Sequence, residues 1–196
     1  MKDNWLANIY SAFKGDTDII ISGKIELFLD NEESIWENFD KIVHMRNDLR
    51  VQKNQIATAN MAVRKNTFLK IGFFAEIKSG GDYAWAKYAA EINKKIVYKE
   101  NIVVLHPSRK NYQQIEKKLK RLAYGEGQLY KETNRGFLPG LFKNILRLIY
   151  LPKHIYISRN MLANVGILGV ISFNFYYLCL KLKQIFAFIE GYDGDE

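Results

Sequence analysis

The chain has 196 residues, 48% hydrophobic and 26% charged, enough apolar content for a core and too little charge for a disordered polyelectrolyte. Its single cysteine, Cys179, excludes an internal disulfide and is compatible with a reducing compartment. The net charge of +8 is concentrated: between His106 and Asn160 lie twelve Lys and Arg against three Glu, leaving −1 for the remainder. A basic segment of that kind suits a polyanionic partner such as lipid headgroups, nucleic acid or a diphosphate.

Taken along the chain, Trp5, Leu6, Ile9, Tyr10 and Phe13 recur at helical spacing, and Lys14-Gly15-Asp16 stops that helix. No basic stretch before Trp5 leads into a continuous apolar run, so a signal peptide is not expected. Ile19-Ile20-Ile21 and Ile25-Glu26-Leu27-Phe28 predict two short strands. Ile35 to Met45 predicts a helix capped by Ser34 or Asn31. Ala57 to Val63 reads as a strand, and Lys65 to Ile71 as a short helix ended by Gly72.

Ser79-Gly80-Gly81-Asp82 predicts a tight turn into a helix over Tyr83 to Ile92. Ile96-Val97-Tyr98 and Ile102 to Leu105 predict strands, with His106-Pro107-Ser108-Arg109 as a loop. Asn111 to Lys131 is a basic helix, with a break or bend expected at Gly125 and Gly127. Phe137 to Leu151 is amphipathic with a basic polar face, the pattern of a helix lying in a membrane interface. Leu162 to Leu180 carries no charge over nineteen residues and is flanked by Lys153 and Arg159 before and Lys181 and Lys183 after. Its length suits either a single membrane span or a helix lying on or dipping into the bilayer.

Singly, the polar residues at the turns have plain structural readings: Asp82 as an N-cap, Asn60 as a satisfied amide, His106 as a strand-end histidine. Asp16-Thr17-Asp18 spells an Asp-x-Asp, but its place after the first helix suits a surface turn. Glu37, Asp40 and Asp30 read as ordinary helix or loop acids.

In their order and spacing, these segments resemble the second half of the family-2 glycosyltransferases of the GT-A fold. Asp3-Asn4-Trp5-Leu6 is similar to that family's Trp-Leu helix. Ser22-Gly23-Lys24-Ile25-Glu26 resembles its Gly-hydrophobic strand. Ala59-Asn60-Met61-Ala62-Val63-Arg64 through Ile71-Gly72-Phe73-Phe74 is similar to its Asn-Met-Ala strand and following helix. Ser79-Gly80-Gly81-Asp82 resembles its acidic motif, Val103-Val104-Leu105-His106-Pro107 its His-Pro strand, and Tyr124-Gly125-Glu126-Gly127 its Tyr-Gly-x-Gly helix. The resemblance covers about two-thirds of the chain.

It implies an α/β fold: a partial three-layer, nucleotide-diphospho-sugar-transferase-like domain over 1–134, followed by membrane-associated helices over 135–196. It implies inverting transfer from a nucleotide-sugar donor to a glycan or lipid-linked acceptor. Asp82 is then the catalytic base, and Asn60, Gly80, Gly81 and Arg109 are substrate-binding. A divalent Mg or Mn ion is implied, with His106 as a metal or diphosphate contact. The donor half with its aspartate-rich metal motif is expected to lie outside this sequence, in upstream residues or a separate chain. Gly81 stands where many members have Glu, and the Gln-x-x-Arg-Trp of processive synthases is missing. The alternative is a noncatalytic, membrane-bound accessory protein. A nucleic-acid partner is not expected, because no reader motif accompanies the basic segment. The expected location is the cytoplasmic face of a membrane, peripheral or with one span near 162–180.

Overall fold

The computed structural model describes residues 4–194. In chain order the elements are α1 (Trp5–Gly15), β1 (Ile19–Phe28), α2 (Ile35–Val43), α3 (Asn47–Val51), β2 (Met61–Val63), α4 (Lys65–Ile71), α5 (Gly81–Glu91), β3 (Lys95–Pro107), α6 (Tyr112–Glu132), α7 (Phe137–Ile149) and α8 (Leu151–Asp193). They form two compact units, each assembled from separate stretches of chain. The first takes the residues up to Phe28, Met45–Glu76 and Gly81–Pro107; the second takes Leu29–His44, Ile77–Gly80 and the residues from Ser108 onward.

The first unit is a mixed three-stranded sheet in the order β2-β1-β3, with β1 antiparallel to β2 and parallel to β3. Side chains alternate across a strand, so central β1 serves two cores. Ile20 packs with Ile56, Ile71, Trp85 and Ala86 from the α4 and α5 side. Ile19 and Ile21 pack with Ile9 and Phe13 of α1 and with Ile102. A strand covered on both faces reads as a continuous apolar run, which is what Ile19-Ile20-Ile21 is. Each such side chain contributes about 2 kcal/mol when fully buried.

The expected pairs of short strands are single strands here. β1 is continuous, and β3 runs thirteen residues through the polar Lys99-Glu100-Asn101. The register steps from Gly23↔Lys99 to Lys24↔Val103, so Glu100, Asn101 and Ile102 bulge out of the ladder. Side chains answer the freed carbonyls: Asn8 Nδ2 donates to Asn101 O at 2.8 Å and Asn60 Nδ2 to Ile102 O at 2.8 Å. The strand expected over Ala57 to Val63 shortens to a 3₁₀ turn, Thr58–Asn60, followed by β2.

The second unit is helical. Phe39 of α2, Ile115 and Leu119 of α6, and Ile157, Met161, Phe173, Tyr177 and Leu180 of α8 share one core. The chain therefore does not divide at residue 134: α2 and α6 pack with the C-terminal helices. Ser34 caps α2 by accepting the Glu37 N–H at 3.4 Å. α6 is unbroken through Gly125 and Gly127, contrary to expectation. A Cβ on Gly125 would meet Ser79 O at 2.1 Å, and one on Gly127 would meet Phe188 O at 2.3 Å. These glycines admit neighbouring backbone instead of bending the helix.

α8 is long and apolar enough to cross a membrane by length and composition, the one such helix among the described residues. It is interrupted at Gly166, whose φ of 67° and ψ of 176° leave the helical region. Asn174 Nδ2 donates to Ser158 Oγ at 3.0 Å across that interruption. In a straight helix sixteen residues would separate those groups by about 24 Å. The helix therefore folds back on itself, and the break falls inside the uncharged segment 162–180.

Candidate functional site

Among the sequence-derived site residues, Asn60, Gly81, Asp82 and His106 belong to the first unit, and Gly80 and Arg109 to the second. Asp82 is the second residue of α5. Gly80 holds a left-handed φ of 92°, a conformation that favours glycine. A Cβ on Gly81 would stand 2.9 Å from Ala75 O. The Gly-Gly pair thus sets the path by which the chain enters α5. The half-buried Asp82 carboxylate accepts the Tyr83 N–H at 3.0 Å through Oδ1 and the Thr58 N–H at 3.2 Å through Oδ2. Its charge sits where the partial positive end of α5 stabilises it. Beside it, burial raises the Tyr83 hydroxyl above its ordinary pKa, the Arg50 charge opposes this, and the Asp82 charge adds to it. The Arg50 guanidinium lies 4.9 Å from the Tyr83 ring centroid. Arg50 comes from α3, a five-residue helix too short for periodicity to reveal.

Asn60 closes the same 3₁₀ turn that Thr58 opens. It is buried, and its amide is fully engaged. Nδ2 donates to Lys24 O at 2.7 Å and Ile102 O at 2.8 Å, while Oδ1 accepts the Trp5 indole N–H at 3.1 Å. One side chain thereby ties α1, β1 and β3 together, and the turn links it to Asp82. His106 stands four residues beyond Ile102 on β3, roughly 13 Å further along the strand. Its Nδ1 lies 2.7 Å from Pro107 O. A carbonyl can only accept, so Nδ1 carries the proton and Nε2 presents a lone pair in the neutral ring. That is the form that ligates a metal. However, no three His, Cys, Asp or Glu side chains among the described residues converge to hold an ion. One imidazole does not make a metal site.

In the second unit Glu37 and Asp40, read as ordinary helix acids, are buried. Asp40 Oδ1 lies 2.5 Å from His44 Nδ1. Arg109 donates to Asp40 Oδ2 from its backbone N at 3.0 Å and from Nη1 at 3.0 Å, and Lys118 Nζ stands 3.6 Å from Oδ1. Burial pushes the Asp40 carboxyl up, but the His44 hydrogen bond and the Lys118 and Arg109 charges outweigh it and hold it well below the carboxylate range. Burial drives His44 down to about 4, with Lys118 and Arg109 pressing the same way and Asp40 opposing. Glu37 Oε2 accepts from Ser108 Oγ and from the Asp30 N–H, each at 2.7 Å. Lys110 pairs with Asp30. The signal available in the sequence was spacing: Glu37 and Asp40 fall on one face of α2, in line with His44 at its C-terminal cap. Their partners, about seventy residues later, left no local trace.

The Asp16-Thr17-Asp18 stretch is a turn. Asp16 Oδ1 accepts the Asp18 N–H at 3.0 Å, and Asp18 accepts from Thr67 Oγ1 at 2.9 Å and Lys94 Nζ at 2.5 Å.

The chain is similar to glycosyltransferase AglE of Haloferax volcanii, 26% identical over 128 residues. The alignment covers 64% of this chain and 42% of AglE, so the chain spans less than half the length of that relative. The likeness supports a relationship to glycosyltransferases. No family model matches the chain, and no solved structure matches it.

Proposed function

We propose that this chain is the acceptor-side half of an inverting, nucleotide-sugar-dependent glycosyltransferase of the family-2, GT-A type, with Asp82 as its catalytic base. The similarity to AglE supports glycosyl transfer in general. The observation that carries the assignment of the base is the placement of Asp82: a half-buried carboxylate at the start of α5, delivered by a glycine pair and held by two backbone N–H groups. Those bonds orient it to take the proton of an acceptor hydroxyl as that oxygen attacks the anomeric carbon. One displacement needs one base and inverts the configuration. Gly80 and Gly81 let acceptor and backbone approach, Asn60 holds the turn behind Asp82, and Arg109 and His106 are the groups for phosphate. A donor-binding half and its divalent metal complete the enzyme.

The test is sugar transfer by the polypeptide that carries this segment. Asp82→Asn is expected to lower kcat by about 10²–10⁴ with unchanged circular dichroism, and Asp82→Glu to retain part of it. Normal turnover by Asp82→Asn sinks the assignment. The second reading is a noncatalytic, membrane-bound accessory protein. Metal-dependent nucleotide-sugar binding by this chain alone rules it out.

A further inference from the structure

Among the described residues, the half-buried arginines are Arg46, Arg50 and Arg109. Two of them are held by carboxylates, Arg46 by Asp48 at 2.6 Å and Arg109 by Asp40 at 3.0 Å. Arg50, at comparable depth, has no carboxylate, and its guanidinium makes no hydrogen bond to any described residue. It lies over the Tyr83 ring, 4.9 Å from the centroid. Stacking occupies the flat face of a guanidinium and leaves its N–H edge free to donate. Asp82 does not take up that edge, because its carboxylate is committed to the backbone N–H groups of Thr58 and Tyr83. The Tyr83 hydroxyl likewise has no hydrogen-bond partner among the described residues. Burial raises its pKa, the Arg50 charge opposes this and the Asp82 charge adds to it, so both charges act on one phenol. A carboxylate, a phenol and an unpaired cation thus stand together in the first unit, Arg50 from α3 and the other two from the start of α5.

We propose that Arg50, stacked on Tyr83, binds an anionic group, a carboxylate or a phosphate, carried by the acceptor beside its attacking hydroxyl. This rests on the reading of Asp82 as the base and narrows the acceptor to an acidic or phosphorylated glycan. Partly desolvating a cation without a counter-charge is costly, and a structural arginine at this depth closes on an acid, as Arg46 and Arg109 do. The idle N–H edge of Arg50 leaves that role to a ligand. Two parallel N–H donors match two oxygens of a carboxylate or a phosphate, which the point charge of a lysine cannot do. The Tyr83 hydroxyl adds a donor beside them. Position assigns the anion to the acceptor and not to the leaving diphosphate. In a single inverting displacement the attacking and leaving oxygens lie on opposite faces of the anomeric carbon. A cation adjoining the base therefore stands on the attacking side.

The test uses the polypeptide that carries this segment and three probes: methyl β-glucuronide, its neutral methyl ester, and methyl β-glucoside 6-phosphate. Affinity is read by calorimetry and as acceptor KM. At least one charged probe should bind about tenfold or more tightly than the ester, and the better of the two names the anion. Arg50→Ala should abolish that preference and leave the ester's affinity, the donor KM and the circular dichroism unchanged. Arg50→Lys should keep part of the preference, and Tyr83→Phe, which retains the ring, should keep most of it. Asp82→Asn separates this proposal from the base assignment, because it should lower kcat on every acceptor without abolishing the preference. Normal turnover by Asp82→Asn, with the preference still lost in Arg50→Ala, ends the base assignment and leaves the anion site standing. No preference for either charged probe in the unmodified protein overturns the proposal. An Arg50→Ala effect confined to donor KM overturns it in favour of a diphosphate contact, and one confined to stability overturns it in favour of a structural stack.

Discussion

Gly127 of α6 and Gly191 of α8 are reciprocal points of a close helix crossing. A Cβ on Gly127 would stand 2.3 Å from Phe188 O, and one on Gly191 would stand 2.1 Å from Tyr124 O. Backbone cannot yield as a flexible side-chain end can. Gly127→Ala is therefore expected to destabilise the helical unit by about 2 kcal/mol or more through overpacking. Chemical denaturation followed by far-ultraviolet circular dichroism checks it. Unchanged stability would mean that the helices separate freely.

Asn60 makes a sharper prediction because its two ends differ. Asn60→Ala leaves the Lys24 and Ile102 carbonyls and the Trp5 indole without their partner, a loss of about 3 kcal/mol. Asn60→Asp puts an acceptor where two carbonyls need a donor, so Asp should be worse than Ala despite its closer shape. Equal stability of the two variants would contradict this geometry.

The Asp40 cluster predicts acid lability. His44 is held near 4 in the fold, against 6.5 when unfolded. Between those values the unfolded chain binds a proton that the folded chain does not. Stability therefore falls as pH drops from about 6.5 toward 4, by on the order of 3 kcal/mol. The lowered Asp40 carboxyl adds to this below its unfolded value of 3.8. Denaturant midpoints measured across pH should show the first slope, and His44→Gln should flatten it.

Arg109 supplies a structural contact whatever it does in catalysis. Arg109→Ala removes the Nη1 donor that bonds both oxygens of the buried Asp40 carboxylate and should cost about 3 kcal/mol. The double variant Arg109→Ala with Asp40→Asn should recover part of that loss. A change confined to KM, with full stability, would instead mark the guanidinium as a substrate contact alone.

Much of the fold was legible where one physical cause dominates over a short window. Helical periodicity gave α1, α4 with its Gly72 stop, α6 and α7, and apolar runs gave the cores of β1 and β3. The rest depended on distant partners. The polar Lys99-Glu100-Asn101 stretch reads as a gap between strands, yet Asn8 and Asn60 complete its hydrogen bonds and the strand continues. Glu37 and Asp40 read as ordinary helix acids because Ser108, Arg109 and Lys118 are far along the chain. Gly166 reads as a mere dilution of an apolar segment, and only its positive φ makes it a turn. At the candidate site, the Gly80-Gly81-Asp82 motif was visible in the residues, whereas Arg50 and the Thr58 contact were not.

The interleaving of the two units bears on how the chain is made. Synthesis proceeds from the amino end, so the first unit has all its segments once Pro107 has emerged. The second begins at Leu29, yet its core waits for Phe173, Tyr177 and Leu180. In the interval α2 has nowhere to bury Phe39, and Asp40 stays in water until Arg109 and Lys118 follow it out of the ribosome. On the nascent chain the segments of the sheet unit are thus all present while the helical core still waits for its last arm.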